Sequence, residues 1–193
     1  MPNLDFIRAY IEDIAHVSDE DWAYFSAKLF KQEFRKKTII LKAGTVENHI
    51  SFIEQGVVRL YVPKEFKEKE ITFGFSFKNQ FVSAYDSFIT RQPSNYELET
   101  LADTVLYRMS YQDLQEVYKV TKIGNLIGRL VAERLFYIKS KREQSLLNET
   151  PKQRYLNLFS ERPELIHVIP LKYVSSYIGV TPQALSRIRR QIT

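Results

Sequence analysis

Gln183, Ser186, Arg187 and Arg190 lie at offsets of zero, three, four and seven. On a helix those offsets share one face. The residue types are suited to base edges: a guanidinium donates two hydrogen bonds to guanine O6 and N7, and a carboxamide pairs with adenine N6 and N7 in the major groove. Gln183 and Arg187 are the candidates for direct base contact, with Ser186 as a secondary one. Lys172, Tyr173, Thr181, Arg189 and Arg190 are candidates for the phosphate backbone, which positions a protein on duplex DNA without reading its sequence. A solvated polar face on a helical hairpin would carry the same residues, so the elements that position them must decide.

Residues 170–190 read PLKYVSSYIGVTPQALSRIRR. Leu171, Val174 and Ile178 recur at helical spacing, the chain turns at 178–180, and Leu185, Ile188 and Ile192 recur with a new phase. Gly179 supplies the positive φ that a helix C-terminus takes. Thr181 is a candidate N-cap, and Pro182 suits the first helical position, where no amide hydrogen is needed. The spacing predicts two short helices around a tight turn, a helix-turn-helix.

The 193 residues are 44% apolar and 13% aromatic, enough for one large domain or a medium and a small one. The net charge of +5 is uneven: residues 148–193 hold seven Lys/Arg against three Asp/Glu, leaving 21 against 20 upstream. The basic excess therefore sits beside the candidate contact helix. With no cysteine, disulfides, iron–sulfur clusters and Cys-ligated zinc are excluded; a reducing cytoplasm is the expected compartment. No apolar run approaches the roughly 20 residues of a membrane span, and no basic-then-apolar leader opens the sequence.

Upstream, Leu4, Ile7, Ile11 and Ile14 form a helical stripe. Residues 18–21 (SDED) cap a second helix carrying Trp22, Phe25, Leu29 and Phe30. From Thr38 the period becomes that of strands: 38–41, 49–54, 57–62 across a Gln55-Gly56 hairpin, 71–77, 81–84, 96–101 and 105–109. About seven short strands imply a small barrel or sandwich, with the charged run 64–70 as a solvated loop. Helical spacing returns at Tyr111, and from Ile123 a helix of about 25 residues carries Ile127, Leu130, Val131, Arg134, Leu135 and Ile138. That stripe packs either against a second copy of itself, in a two-fold dimer, or against its own barrel. Thr150 and Pro151 start a further helix to about Glu161, which leads through residues 162–163 to the opening motif.

This order of parts resembles the Crp/Fnr superfamily of bacterial transcription regulators. The residues that carry it are 41–44 (LKAG), 52–61, 132–135 (AERL), Gln153, Arg154 and 178–187 (IGVTPQALSR). The resemblance implies an α+β fold: N-terminal helices with a jelly-roll-like sensor barrel over 1–122, a dimerisation helix over 123–148 and a DNA-binding helix-turn-helix domain over 149–193. It implies a homodimer on a near-palindromic operator, a small-molecule effector, and RNA polymerase as a further candidate partner. It implies no catalysis and no resident cofactor.

The departures bear on the effector. Relatives that bind cyclic nucleotides have a Phe-Gly-Glu-like start and an Arg-Ser or Arg-Thr pair, where the Glu holds ribose and the Arg neutralises phosphate. Here the matching stretches read FVSAY (81–85) and PSNY (93–96), and the adenine-contacting pair falls on Ile138 and Lys139. A buried phosphodiester without a cation is poorly compensated, so cyclic AMP is not expected. The pocket residues that follow are Ser83, Ala84, Tyr85, Arg91, Ser94 and Asn95, with Arg91 as the substitute cation if the loop repacks. The sequence stops three residues past Arg190, so affinity is expected to rest on the dimer and on phosphate contacts, not on a wing.

Other chemistry is thin. Glu97 and Glu99 share a strand face without a catalytic partner and read as solvated. His16, His49 and His167 are too scattered for a cupin-like metal site, and no Gly-rich phosphate loop occurs. Two other readings remain: a sensing barrel whose C-terminal hairpin docks a protein, and a barrel that takes no ligand.

Overall fold

The computed structural model describes residues 4–13, 15–66, 70–161 and 168–192. Ile14 of the first stripe, His167, the link at 162–163 and the middle of the charged run lie outside the described residues.

Helix α1 (Asp5–Glu12) buries Ile7 and Ile11. In α2 (Asp19–Ala27) the Ser18 hydroxyl accepts the Asp21 amide at 3.2 Å, the expected cap. The second helix ends earlier than the spacing suggests. Phe30 opens strand β1 (Phe30–Phe34), which pairs with β8 in register Phe30 to Arg108. Leu29 and Phe30 follow Phe25 at helical offsets, but cross-strand pairing overrides that local period.

Seven further strands follow: β2 (Ile39–Leu41), β3 (His49–Gln55), β4 (Val57–Val62), β5 (Ile71–Phe77), β6 (Phe81–Val82), β7 (Glu97–Thr100) and β8 (Thr104–Ser110). Helix α3 (Tyr85–Thr90), absent from the strand reading, is inserted before β7. All pairings are antiparallel, in two four-stranded sheets ordered β1-β8-β3-β6 and β2-β7-β4-β5. Except for β4 and β5, which pair in one sheet, successive strands switch between the sheets, the winding of a jelly roll. The β3–β4 hairpin turns at Gly56 with φ +100°, where a Cβ would lie 2.3 Å from Thr104 Oγ1.

Leu41, Ile53, Val58, Leu98 and Leu106 fill the space between the sheets. A second core covers the outer face of the β1-β8-β3-β6 sheet with α1, α2 and α4 (Tyr111–Val120), around Phe52, Tyr107 and Met109. Helix α5 (Gly124–Asn148) starts under the Asp21 carboxylate, which accepts the Ile123 amide at 3.2 Å. Of its 25 residues only Gly124 is buried. The expected stripe divides: Ile127 and Val131 turn toward the chain's own helices and sheet, whereas Arg134 and Ile138 are exposed. Phe136 and Leu147 are 74% and 78% exposed.

Helix α6 (Pro151–Glu161) opens with reciprocal bonds between Thr150 and Gln153. With α7 (Leu171–Ile178) and α8 (Pro182–Arg190) it forms the third core: Tyr155, Phe159, Ile169, Val174, Ile178 and Leu185, joined by Val57 and Leu101 of the barrel. Leu171 and Ile192, both in the expected stripes, are instead exposed.

The C-terminal helices sit on the outer face of the β2-β7-β4-β5 sheet. Ser176 Oγ accepts the Thr72 amide and donates to Glu70 O, each at 2.9 Å. The Phe75 and Tyr177 rings meet at 5.2 Å. Arg59, 1% exposed, lies between the rings of Tyr61 (3.9 Å) and Tyr173 (3.7 Å). Its guanidinium is neutralised by Glu70 at 2.9 Å and Glu99 at 3.2 Å. The solvated reading of Glu97, Glu99 and Glu70 is thereby corrected, whereas Lys64, Glu65 and Phe66 of the charged run are exposed as expected. Glu97 accepts the Tyr61 hydroxyl, and helix α7 covers a sheet face that alternation alone marks as outward.

Candidate nucleic-acid interface

The turn between α7 and α8 is built as local chemistry requires. Gly179 adopts φ +76°, and the Val180 amide bonds Ser175 O at 2.9 Å. Thr181 Oγ1 accepts the Ala184 amide at 3.2 Å, with Pro182 next in line. Leu185 is buried, which fixes the rotation of α8 and turns Gln183, Ser186, Arg187 and Arg190 outward; all four are exposed. The Ser186 hydroxyl donates to Pro182 O at 3.0 Å, leaving its lone pairs outward.

Two arginines that the opening motif does not contain hold the turn from behind. Arg154 of α6 donates Nε to Ile178 O at 2.9 Å and Nη1 to Glu149 O. Arg142 of α5 donates to Tyr177 O and stacks its guanidinium 3.9 Å from the Tyr177 ring. Both satisfy carbonyls that the end of α7 would otherwise leave without a donor. A basic residue that serves a distant helix end has no local signature, which is why the sequence conceals it.

The proposed phosphate contacts divide. Lys172, Thr181, Arg189 and Arg190 are exposed on or beside the two helices. Tyr173 is a correction: it is half-buried, its ring against Arg59, so that ring faces the barrel. Thr181 keeps its hydroxyl proton available, because its cap bond uses only a lone pair.

The expected effector residues do not converge on one ligand. Arg91, at φ +58°, donates to Glu47 O at 2.6 Å, Phe88 O at 3.1 Å and Asn48 Oδ1, and lies 4.4 Å from the Tyr111 ring. It ties α3 to the loop before β3 and is not a free phosphate cation. Ser94 is buried and donates to Tyr96 O at 2.8 Å, Ser83 donates to His49 O at 2.9 Å, and Asn95 is exposed. Ala84 is fully buried, while Tyr85 lines a cavity on the helical side of the sheet.

The barrel interior holds ionic groups from elsewhere in the chain. Glu47 Oε1 accepts the His49 amide at 2.9 Å, and the carboxylate also draws on the amides of Ala84 and Asn48. Arg108 of β8 donates Nη1 to Gln32 at 2.7 Å and Nε to Ser51 at 3.3 Å. Burial raises the Glu47 carboxyl and lowers Arg108, each opposed by the other's charge. Burial, and then Arg108, hold the His49 imidazole down to about 4, so it is neutral at pH 7. An acid does meet the Ala84 amide, but it comes from residue 47 and is matched by an internal cation. These groups were missed because the strands place them together, not the spacing.

This architecture defines a class: a cyclic-nucleotide-binding-type jelly roll joined through a long helix to a helix-turn-helix. Residues 31–120 match the cyclic nucleotide-binding domain family. A Crp/Fnr-family regulator from Eubacterium rectale superposes with TM-score 0.71 at 16% identity, covering 91% of this chain and 83% of that one. The c-di-GMP-responsive global regulator CLP of Xanthomonas campestris gives 0.68 at 15% identity and 91% of both chains. FixK2 from Bradyrhizobium japonicum gives 0.68 at 15% identity, over 85% and 84%. Among curated proteins no sequence match is found. The chain thus shares the fold of these regulators, and its residues 31–120 match the cyclic nucleotide-binding domain family.

Proposed function

We propose that the chain is a DNA-binding transcription regulator that reads a near-palindromic operator as a homodimer. The observation that carries this is α8: with Leu185 buried and Thr181 and Pro182 setting its start, it presents Gln183, Ser186 and Arg187 to solvent as one outward row. Gln183 and Arg187 contact base edges, and Ser186 supports them. Lys172, Thr181, Arg189 and Arg190 contact phosphates. The structural relatives, two of them regulators, support the same reading.

The dimer is supported by α5. A helix of 25 residues that buries only Gly124 and exposes Phe136, Tyr137, Ile138 and Leu147 leaves apolar surface for a partner helix. Domain limits of 1–122, 123–148 and 149–193 belong to this proposal.

Titration with duplex DNA at stepped salt tests it. Contacts to about six or more phosphates make affinity fall by about 10³ or more between 50 and 200 mM salt. A salt-independent affinity would favour an apolar protein-docking hairpin instead.

A further inference from the structure

On the helical side of the β1-β8-β3-β6 sheet, enclosed by α2, α4 and the start of α5, is a cavity of about 30 Å³. Its lining is largely apolar, with Phe25, Ile50, Met109, Val117, Ile127 and Val131 on its walls. Tyr85 of α3 and Tyr118 of α4 also line it. Neither phenol hydroxyl makes a hydrogen bond among the described residues; the influences on them are burial and, for Tyr118, the neighbouring Tyr85. Burial pushes the Tyr118 hydroxyl up to about 12 and Tyr85 upward as well, so both remain neutral donors at physiological pH.

The cavity could hold a water or two by size, since one needs about 10–15 Å³ of such space, but a water also needs two to four polar partners. The lining is almost wholly hydrocarbon, with two tyrosine side chains among its residues. No Lys, Arg or His lines it, so an anion there would be uncompensated. On the α5 wall, Gly124 and Gly128 let the helix approach α4 closely: a Cβ at Gly124 would lie 2.6 Å from Val117 O, and one at Gly128 2.9 Å from the Tyr118 ring. Small binding sites commonly combine an apolar lining with a few placed polar groups.

We propose that this cavity is a binding site for a small neutral molecule with an apolar body and one hydrogen-bond acceptor, such as a short alcohol or ketone, received by Tyr85 and Tyr118. The site lies on the helical side of the sheet, outside the barrel interior, and of the Ala84 to Ser94 segment only Tyr85 lines it. It deepens the regulator reading and rests on it for its role as an effector site. A ligand larger than the resting cavity displaces the start of α5, and the same helix grips Tyr177 of α7 through Arg142.

The chain's only tryptophan, Trp22, stacks on Phe25 of the cavity wall at 5.8 Å and reports occupancy through its emission. Titration of the full chain with cyclohexanol is expected to give a saturable emission shift, and hexanoate, similar in size but anionic, none. Tyr118→Phe is expected to weaken cyclohexanol between about twofold and tenfold by removing one donor, and Val131→Phe to abolish the shift by filling the space. No saturable shift with cyclohexanol, an undiminished shift in a folded Val131→Phe variant, or equal binding of hexanoate overturns the proposal. Should Val131→Phe fail to fold, wild-type crystals under xenon pressure give an independent readout: a xenon peak beside Met109 and Ile127 supports the cavity, and its absence overturns it. The titration needs no DNA, so failure of the regulator reading and failure of this site are separable.

Discussion

Arg187 stands two residues after Leu185, and that interval links core packing to the proposed base contact. Leu185 is 1% exposed, so α8 cannot rotate without opening the core beneath it. Arg187→Ala is expected to cost about 1–3 kcal/mol on the preferred duplex and to relax one base position; equal affinity of variant and wild type in a binding titration would remove Arg187 from base contact. This part of the site was legible because its signals are local: Gly179, Thr181 and Pro182 each dictate the conformation of their own residue or the next few. The roles of Arg142, Arg154, Glu47 and Arg108 were illegible for the opposite reason, although Arg154 itself is among the residues that carry the family resemblance. Arg154 reaches a carbonyl 24 residues away, and Glu47 and Arg108 meet only after β3 and β8 have paired.

At the scale of elements, the barrel is legible in the strand pattern, because alternation and turn residues are short-range properties. It missed β1 and α3. Phe30 extends the helical spacing of α2, and the burial of Ser87 and Phe88 in α3 depends on packing against neighbours distant in sequence. The solvated reading of Glu99 failed similarly, since a strand's period identifies two faces but not what covers each one. The β3–β4 hairpin supplies a sharp test. Gly56 at φ +100° would place a Cβ 2.8 Å from Thr104 Cα, a backbone atom that cannot swing away. Gly56→Ala is expected to destabilise the fold by about 2–5 kcal/mol, combining left-handed strain with overpacking, as a lowered denaturation midpoint. An unchanged midpoint would mean the β3–β4 turn relaxes freely.

Across the whole molecule, two features link barrel and C-terminal helices. Helix α5, roughly 38 Å long at 1.5 Å per residue, begins under Asp21 and reaches Tyr177 through Arg142. Arg59 between Tyr61 and Tyr173, with Ser176 bonded to Thr72 and Glu70, fixes α7 on the sheet. The exposed row on α8 is therefore carried by a framed element and not by a free tail. In the proposed homodimer the exposed apolar residues of α5 meet a second copy, which sets two such rows on one duplex. Selection of bound sequences from random duplex DNA by the purified protein tests that claim most directly. The expected result is a two-fold symmetric motif with half-site centres about 34 Å, one helical turn, apart. Recovery of no enriched sequence would contradict it.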